Sequence, residues 1–225
     1  MSAITNKKCG VWILDDIHKK IGCGFYDYDT TGDPGEVWAW GCNCAGQLGD
    51  NTIINRSSPI QIAGTTWVEI AALDHHTLAR KSDGTLWTWG WNTYGQLGDN
   101  TTINKSSPVQ IAGTTWVEIA NGSHHHSLAR KSDGTLWVWG RNNYGQLGDN
   151  STINRSLPVQ IAGTTWVDIT GGNYFSLARK SDGTLWSWGY NCAGQLGDNT
   201  TINKSSPVQI VGTTWVEISS SHEHS

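Results

Sequence analysis

Short runs that are apolar on both faces alternate with glycine-rich polar stretches along most of this chain. His126–Lys131 and Thr135–Trp139 are two such runs, separated by Ser132-Asp133-Gly134. That separator predicts a hairpin, because glycine takes a positive φ at little cost. On the second run Trp137 and Trp139 point to one face, and Leu136 and Val138 to the other. A strand apolar on both faces must be covered on both, as stacked neighbouring sheets do. Pro158–Ile161 and Trp166–Ile169 predict two further strands joined by Ala162-Gly163-Thr164-Thr165. Gly140–Asp149 reads as a loop running into the polar Asn150–Ser156, and no helical period competes anywhere.

The pattern recurs. Leu86–Ala120 and Leu136–Thr170 agree at 27 of 35 positions, which makes the chain a tandem repeat. A Trp-x-Trp-Gly anchor stands at Trp38–Gly41, Trp87–Gly90, Trp137–Gly140 and Trp186–Gly189, at intervals of 49, 50 and 49 residues. Gly-Gln-Leu-Gly-Asp follows each anchor (Gly46–Asp50, Gly95–Asp99, Gly145–Asp149, Gly194–Asp198). Then come Pro-[Val/Ile]-Gln-Ile and Gly-Thr-Thr-Trp-Val-[Glu/Asp]-Ile. Four short strands per repeat predict an all-β protein, a β-propeller of four-stranded blades. A right-handed β-solenoid is the runner-up, but its coils usually have shorter periods. The repeats fall at approximately 21–70, 71–119, 120–169 and 170–218, with a truncated copy at 219–225 and an N-terminal segment at 1–20 that serves as a cap or closing strand.

Composition refines this picture. Twelve of the 14 Trp occupy three fixed repeat positions, so tryptophan richness is a core habit copied four times rather than a chromophore. Net charge is −4 and the 15 Lys and Arg are spread evenly, which argues against nucleic acid as a partner. Met1–Lys20 carries only the apolar run Val11–Leu14 beside Asp15 and Asp16, neither a signal peptide nor a membrane span. Five irregularly spaced Cys (9, 23, 42, 44 and 192) argue against a disulfide framework and make a reduced, cytoplasmic setting the default. Cys42-x-Cys44 has half the ligands of a zinc site and reads as structural.

Trp-x-Trp-Gly-x-Asn-x-x-Gly-Gln-Leu-Gly-Asp, with Pro-Val-Gln-Ile downstream and His-[Ser/Thr]-Leu-Ala upstream, resembles the regulator of chromosome condensation repeat over roughly Ile21 to Ser225. The resemblance implies a propeller, usually of seven blades. It leaves function open, because that family spans exchange factors for small GTPases, light sensors, enzyme inhibitors and scaffolds. Hairpins near Phe25–Trp40, His76–Trp89, His126–Trp139 and Phe175–Trp188, with four Pro…Trp strand pairs, predict sixteen strands in four blades. The sequence stops at Ser225, in register with Ser127 and Ser176, so the expectation is an open or partial propeller. Such an arc belongs to a longer protein or self-associates through open blade edges.

In a near-identical repeat, function is sought where symmetry breaks. Cys42, Trp91, Arg141 and Tyr190 occupy one equivalent position after the anchor, and variation on a constant frame is what a binding surface looks like. The second candidate is histidine: Asp74-His75-His76, His124-His125-His126 and His222-Glu223-His224 share one place, filled by Asn173-Tyr174-Phe175 in the other copy. By resemblance His76, His126 and His224 are structural, whereas the surplus His75, His124, His125 and His222 are candidate zinc or nickel ligands. Arg80-Lys81, Arg130-Lys131 and Arg179-Lys180 read as solvated hairpin ends, with a basic rim as the rival. Catalysis finds no support: there is no nucleophile elbow, zinc-protease motif or phosphate loop, and the recurring acids Glu69, Glu118, Asp168 and Glu217 read as structural hydrogen-bond partners.

The expected function is a non-enzymatic scaffold that takes no cofactor and presents Cys42, Trp91, Arg141 and Tyr190 to a protein partner. The alternatives are guanine-nucleotide exchange on a small GTPase, which the absence of a long inserted loop disfavours, and a metal-binding repeat protein. A light-sensing role is weaker, because the Gly-Trp-Arg-His-Thr signature of the plant ultraviolet-B photoreceptor is absent.

Overall fold

A computed structural model of the chain describes residues 10–14 as backbone and residues 35–73, 75–123 and 125–221 in full. The first three strands, β1 (Gly10–Leu14), β2 (Glu36–Gly41) and β3 (Arg56–Ile62), form one sheet in that order. The second sheet is β4 (Trp67–Leu73), β5 (His76–Lys81), β6 (Leu86–Gly90) and β7 (Lys105–Ile111). The third is β8 (Trp116–Gly122), β9 (His126–Lys131), β10 (Leu136–Gly140) and β11 (Arg155–Ile161). The fourth is β12 (Trp166–Gly171), β13 (Phe175–Lys180), β14 (Leu185–Gly189) and β15 (Lys204–Ile210). All pairings are antiparallel and no helix occurs among the described residues. The sheets stack in chain order with β1, β4, β8 and β12 side by side, an open four-bladed propeller.

Two details depart from the expected sixteen strands. The strand beside β2 is Gly10–Leu14, in register Trp12↔Trp38, which takes the place in its sheet that β5, β9 and β13 take in theirs. The hairpin expected near Phe25 lies outside the described residues over its first strand. The Pro…Ile and Trp…Ile strands also do not pair with each other: β7 closes one sheet and β8 opens the next. Each sequence repeat therefore straddles two blades. The corresponding last segment, around Trp215–Ile218, forms no strand, and Val211, Trp215 and Val216 are exposed.

Both faces of the middle strands are covered, as their pattern demands. Trp89 packs with Val37, Ala39, Leu48 and Ile62 of the preceding sheet, whereas Leu86, Leu78 and Ile111 pack with Trp116, Ile119 and Trp139 of the following one. Trp67 meets Trp87 and Trp89 edge to face at 6.1 and 6.0 Å, and Trp116 and Trp166 repeat the arrangement. Burial of each such indole contributes roughly 4–6 kcal/mol of gross apolar stabilisation before entropy is subtracted.

Polar bonds index one blade to the next. Trp89 Nε1 and Thr77 Oγ1 donate to the Gln47 carbonyl at 2.9 and 3.1 Å, and Trp139 and Ser127 use the Gln96 carbonyl in the same way. Glu69 Oε1 accepts from Ile119 N, and Glu118 Oε1 from Ile169 N, while each carboxylate also holds an arginine of its own blade, Arg80 or Arg130. Glu69 and Glu118 are therefore structural. At the Ser-Asp-Gly turn Gly84 has φ +78°, and a Cβ there would stand 2.2 Å from the Thr114 carbonyl oxygen, so only glycine lets the next blade approach.

The paired basic residues form neither a solvated hairpin end nor a rim. Arg80, Arg130 and Arg179 pair with Glu69, Glu118 and Asp168. Lys81, Lys131 and Lys180 each lie over two tryptophan rings, at 4.2 to 4.7 Å from the ring centroids.

Candidate functional site

The loop after each anchor is tied together by its asparagine. Asn142 Nδ2 donates to Asp149 Oδ1 and to the Ser151 and Ile153 carbonyls, while its Oδ1 accepts from Leu147 N at 2.9 Å. Asn43, Asn92 and Asn191 make the same set. Asp149, clasped by Ser151, Arg155 and Asn142, titrates below the usual carboxylate range, because these bonds outweigh its burial. The frame thus fixes the variable residue that precedes the asparagine.

Backbone bonds place that residue. Trp91 N donates to the His75 carbonyl, Arg141 N to that of His125 and Tyr190 N to that of Tyr174, each at 2.8 Å. The position after the anchor and the position before the β5, β9 or β13 strand are thus neighbours in the second, third and fourth blades. Tyr94 and Tyr144, three residues beyond the variable position, reach across to the following blade. The result is a continuous row of rings. Trp91 lies 4.9 Å from His75 and 5.1 Å from His125, and His125 stacks on Tyr94 at 5.5 Å. The Arg141 guanidinium lies 4.9 Å from the Tyr94 ring and 5.2 Å from the Tyr174 ring. Tyr144 then meets Tyr174 and Tyr190 edge to face at 5.1 and 4.9 Å. Trp91, Tyr94, Arg141, Tyr144, Tyr174 and Tyr190 are all partly exposed.

Three of the four expected partner-binding residues, Trp91, Arg141 and Tyr190, therefore join one ridge. Cys42 sits at the equivalent corner of the first blade, its Sγ 3.6 Å from that of Cys44, and that contact raises the Cys44 thiol above its ordinary value. Cys44 and Cys192 carry free thiols. Sequence reasoning missed Tyr94, Tyr144 and Tyr174 as site residues. A signal existed: Tyr94 and Tyr144 stand where Ala45 and Ala193 stand in the other copies.

Of the surplus histidines, His75 and His125 come together with rings stacked at 5.9 Å, whereas His124 and His222 lie outside the described residues. Among the described residues no group of three His, Cys, Asp or Glu side chains is placed to share a metal ion. His76 and His126 are structural: they are buried, with Nε2 at 3.0 and 3.1 Å from Ser127 Oγ and Ser176 Oγ of the next blade. No described helix is long and apolar enough to cross a membrane.

The chain is similar to several solved propellers. Human WBSCR16 superposes with a TM-score of 0.68 at 25% identity, covering 80% of this chain and 48% of that one. Yeast RCC1 (Prp20), solved bound to Kap60, gives 0.69 at 25% identity over 80% of this chain and 45% of its own. Prp20p of Saccharomyces cerevisiae, described with its binding properties to Gsp1p and histones, gives 0.67 at 23% identity over 80% and 49%. The chain thus spans about half the length of these proteins. The sequence profile of the regulator of chromosome condensation (RCC1) repeat matches residues 34–80, 83–129, 133–179 and 182–225, and a second profile of that repeat matches 67–96, 116–146 and 166–195. With interlocking blades, matching repeats and matching solved propellers, this chain belongs to the regulator of chromosome condensation (RCC1) repeat family.

Proposed function

We propose that this chain is a non-catalytic interaction module that docks a protein partner on the ridge of Trp91, Tyr94, His125, Arg141, Tyr174 and Tyr190. The carrying observation is the unbroken row of ring contacts over three blades, held on loops whose polar groups the frame already satisfies. Trp, Tyr and Arg dominate binding energy at protein interfaces, and rings locked against one another lose little side-chain freedom on docking. The recurring acids Glu69 and Glu118 join blades, so they are not free to act as an acid–base pair.

Replacing Trp91 and Arg141 together by Ala tests the reading. Capture of the partner from source lysate is lost while the thermal melt stays within a few degrees, as expected for partly exposed residues. Undiminished capture by the double variant would sink this surface. A second reading, nucleotide exchange on a small GTPase, draws support from the likeness to yeast RCC1. Accelerated nucleotide release from a Ran-like small GTPase would favour it over the scaffold.

A further inference from the structure

Eleven lysines and arginines lie among the described residues, and ten are accounted for by the fold. Seven form ion pairs with Asp or Glu: Arg56, Arg80, Lys105, Arg130, Arg155, Arg179 and Lys204. Three lysines cover tryptophan pairs. The eleventh is Arg141. Among the described residues it has no acidic partner, and its Nε is buried with no hydrogen-bond partner. The fold does not require a cation there, because Cys42, Trp91 and Tyr190 fill the same corner in the other blades.

Its surroundings define what it can take. Tyr94 of the preceding blade and Tyr174 of the following blade lie against the guanidinium. Rings packed against the guanidinium leave its outer edge, the two Nη groups, for a ligand, while Nε stays buried. That edge matches one planar carboxylate through two parallel hydrogen bonds. A phosphate or a nucleic-acid backbone would call for further cations, and the other described ones are already engaged. The net charge of −4 also disfavours a polyanion. Flanking rings suit the apolar side chains of a protein segment.

We propose, resting on the docking reading above, that Arg141 is a carboxylate receptor at the centre of the ridge, which selects a partner segment carrying Asp or Glu beside apolar side chains. The probe is a library of random peptides displayed on phage, selected on the 225-residue chain. Peptides enriched in Asp or Glu next to aromatic or aliphatic residues are expected. A synthetic selected peptide should bind about ten- to a hundredfold more tightly than its twin with Gln in place of Glu. Arg141→Gln should erase that difference without weakening the Gln twin, and Arg141→Lys should restore only part of it, since an ammonium lacks the fork. Matching thermal melts for both variants show that the fold is kept. Selection without acidic enrichment, failure to select any peptide, equal affinity of the twins, or tighter binding of a phosphoserine twin would each overturn the proposal. Peptides that lack acids yet lose binding on Trp91→Ala would do so while leaving the docking surface standing. Acidic peptides that depend on Arg141, beside lysate capture that ignores Trp91 and Arg141, would support the receptor and sink the docking reading.

Discussion

His76 carries a pH dependence that can be worked from its bonds. Its Nε2 lies 3.0 Å from Ser127 Oγ, and Ser127 donates its own hydroxyl proton to the Gln96 carbonyl at 2.8 Å. The serine oxygen can therefore only accept, which fixes the proton on His76 Nε2 and leaves Nδ1 bare. That Nδ1 is buried without a hydrogen-bond partner, so a second proton there would charge the ring where nothing receives it. Burial pushes the imidazole down to about 3, and the nearby His125, His126 and His75 add to the effect. The folded value lies below the unfolded one, so the unfolded chain binds more protons in between. The stability tied to neutral His76 is full above about pH 6.5 and falls by roughly 1.4 kcal/mol per unit as pH drops from there towards 3. At about pH 4.5 close to 3 kcal/mol is gone. His76→Gln removes the titration while its amide still reaches towards Ser127. Urea unfolding followed by tryptophan fluorescence, run on both proteins from about pH 7 to about pH 4.5, isolates the effect, because every other group titrates in both. The variant should gain about 3 kcal/mol on the parent over that interval. A gap between the two that stays constant with pH would refute the bound-proton argument.

Two further outcomes follow from the blade contacts. Gly98→Ala puts a Cβ at φ +75° and 2.8 Å from Trp139 Nε1, which dislodges the indole from the Gln96 carbonyl, so about 3 kcal/mol of stability is lost by urea titration. Gly197→Ala at φ +69° meets only Ile210 Cγ2 at 3.9 Å and costs only the backbone strain of about 1 kcal/mol; equal losses at the two sites would show that the indole seat is not the reason for the glycine. Asn142→Ala strips the bonds to Leu147 N and to the Ser151 and Ile153 carbonyls, with an expected loss of about 3 kcal/mol and faster amide exchange confined to residues 141–155; a wild-type exchange pattern would show that the loop does not depend on Asn142.

How much of this was legible depends on the distance over which each feature is encoded. The hairpins and the both-face burial of Trp139 and Val138 are local, carried by Ser132-Asp133-Gly134 and by alternation over five residues. The sheet to which Trp166–Ile169 belongs is not local. Pro158–Ile161 and Trp166–Ile169 are both apolar, and a four-residue link reads equally as a hairpin or as a passage to the next blade. The passage wins because Trp166 N is held by the Gly134 carbonyl and the Trp166 ring by Trp186 and Trp188. The segment 1–20 was legible as a cap or closing strand, but its pairing of Gly10–Leu14 with Glu36–Gly41 was not, because the sequence offered a nearer candidate for that place in the hairpin around Phe25. At the site, Trp91, Arg141 and Tyr190 could be singled out because one frame position changed chemistry. Tyr94 and Tyr174 could not be joined to them, since each contact with Arg141 crosses a blade boundary. Sequence chemistry also split the ridge in two, with His75 and His125 as metal ligands and Trp91 as a docking residue. In the fold His75 and His125 are ring neighbours of Trp91.

The same logic explains where a near-symmetric repeat can keep a function. In the frame positions polar groups are mutually satisfied: Asp50, Asp99, Asp149 and Asp198 each hold a cation, a hydroxyl and an asparagine. Copying the unit copies that satisfaction, so a residue the frame has saturated has little left to offer a partner. Only positions that depart from the repeat escape this rule, and they escape it unequally. A departing tryptophan or tyrosine is content with its neighbours' rings. A departing arginine brings a charge and five donors for which the frame, unchanged in the other blades, provides no acceptor. Arg141 is the one described position where the departure leaves a charge unanswered, and a partner's carboxylate would supply the acceptor that the frame lacks there.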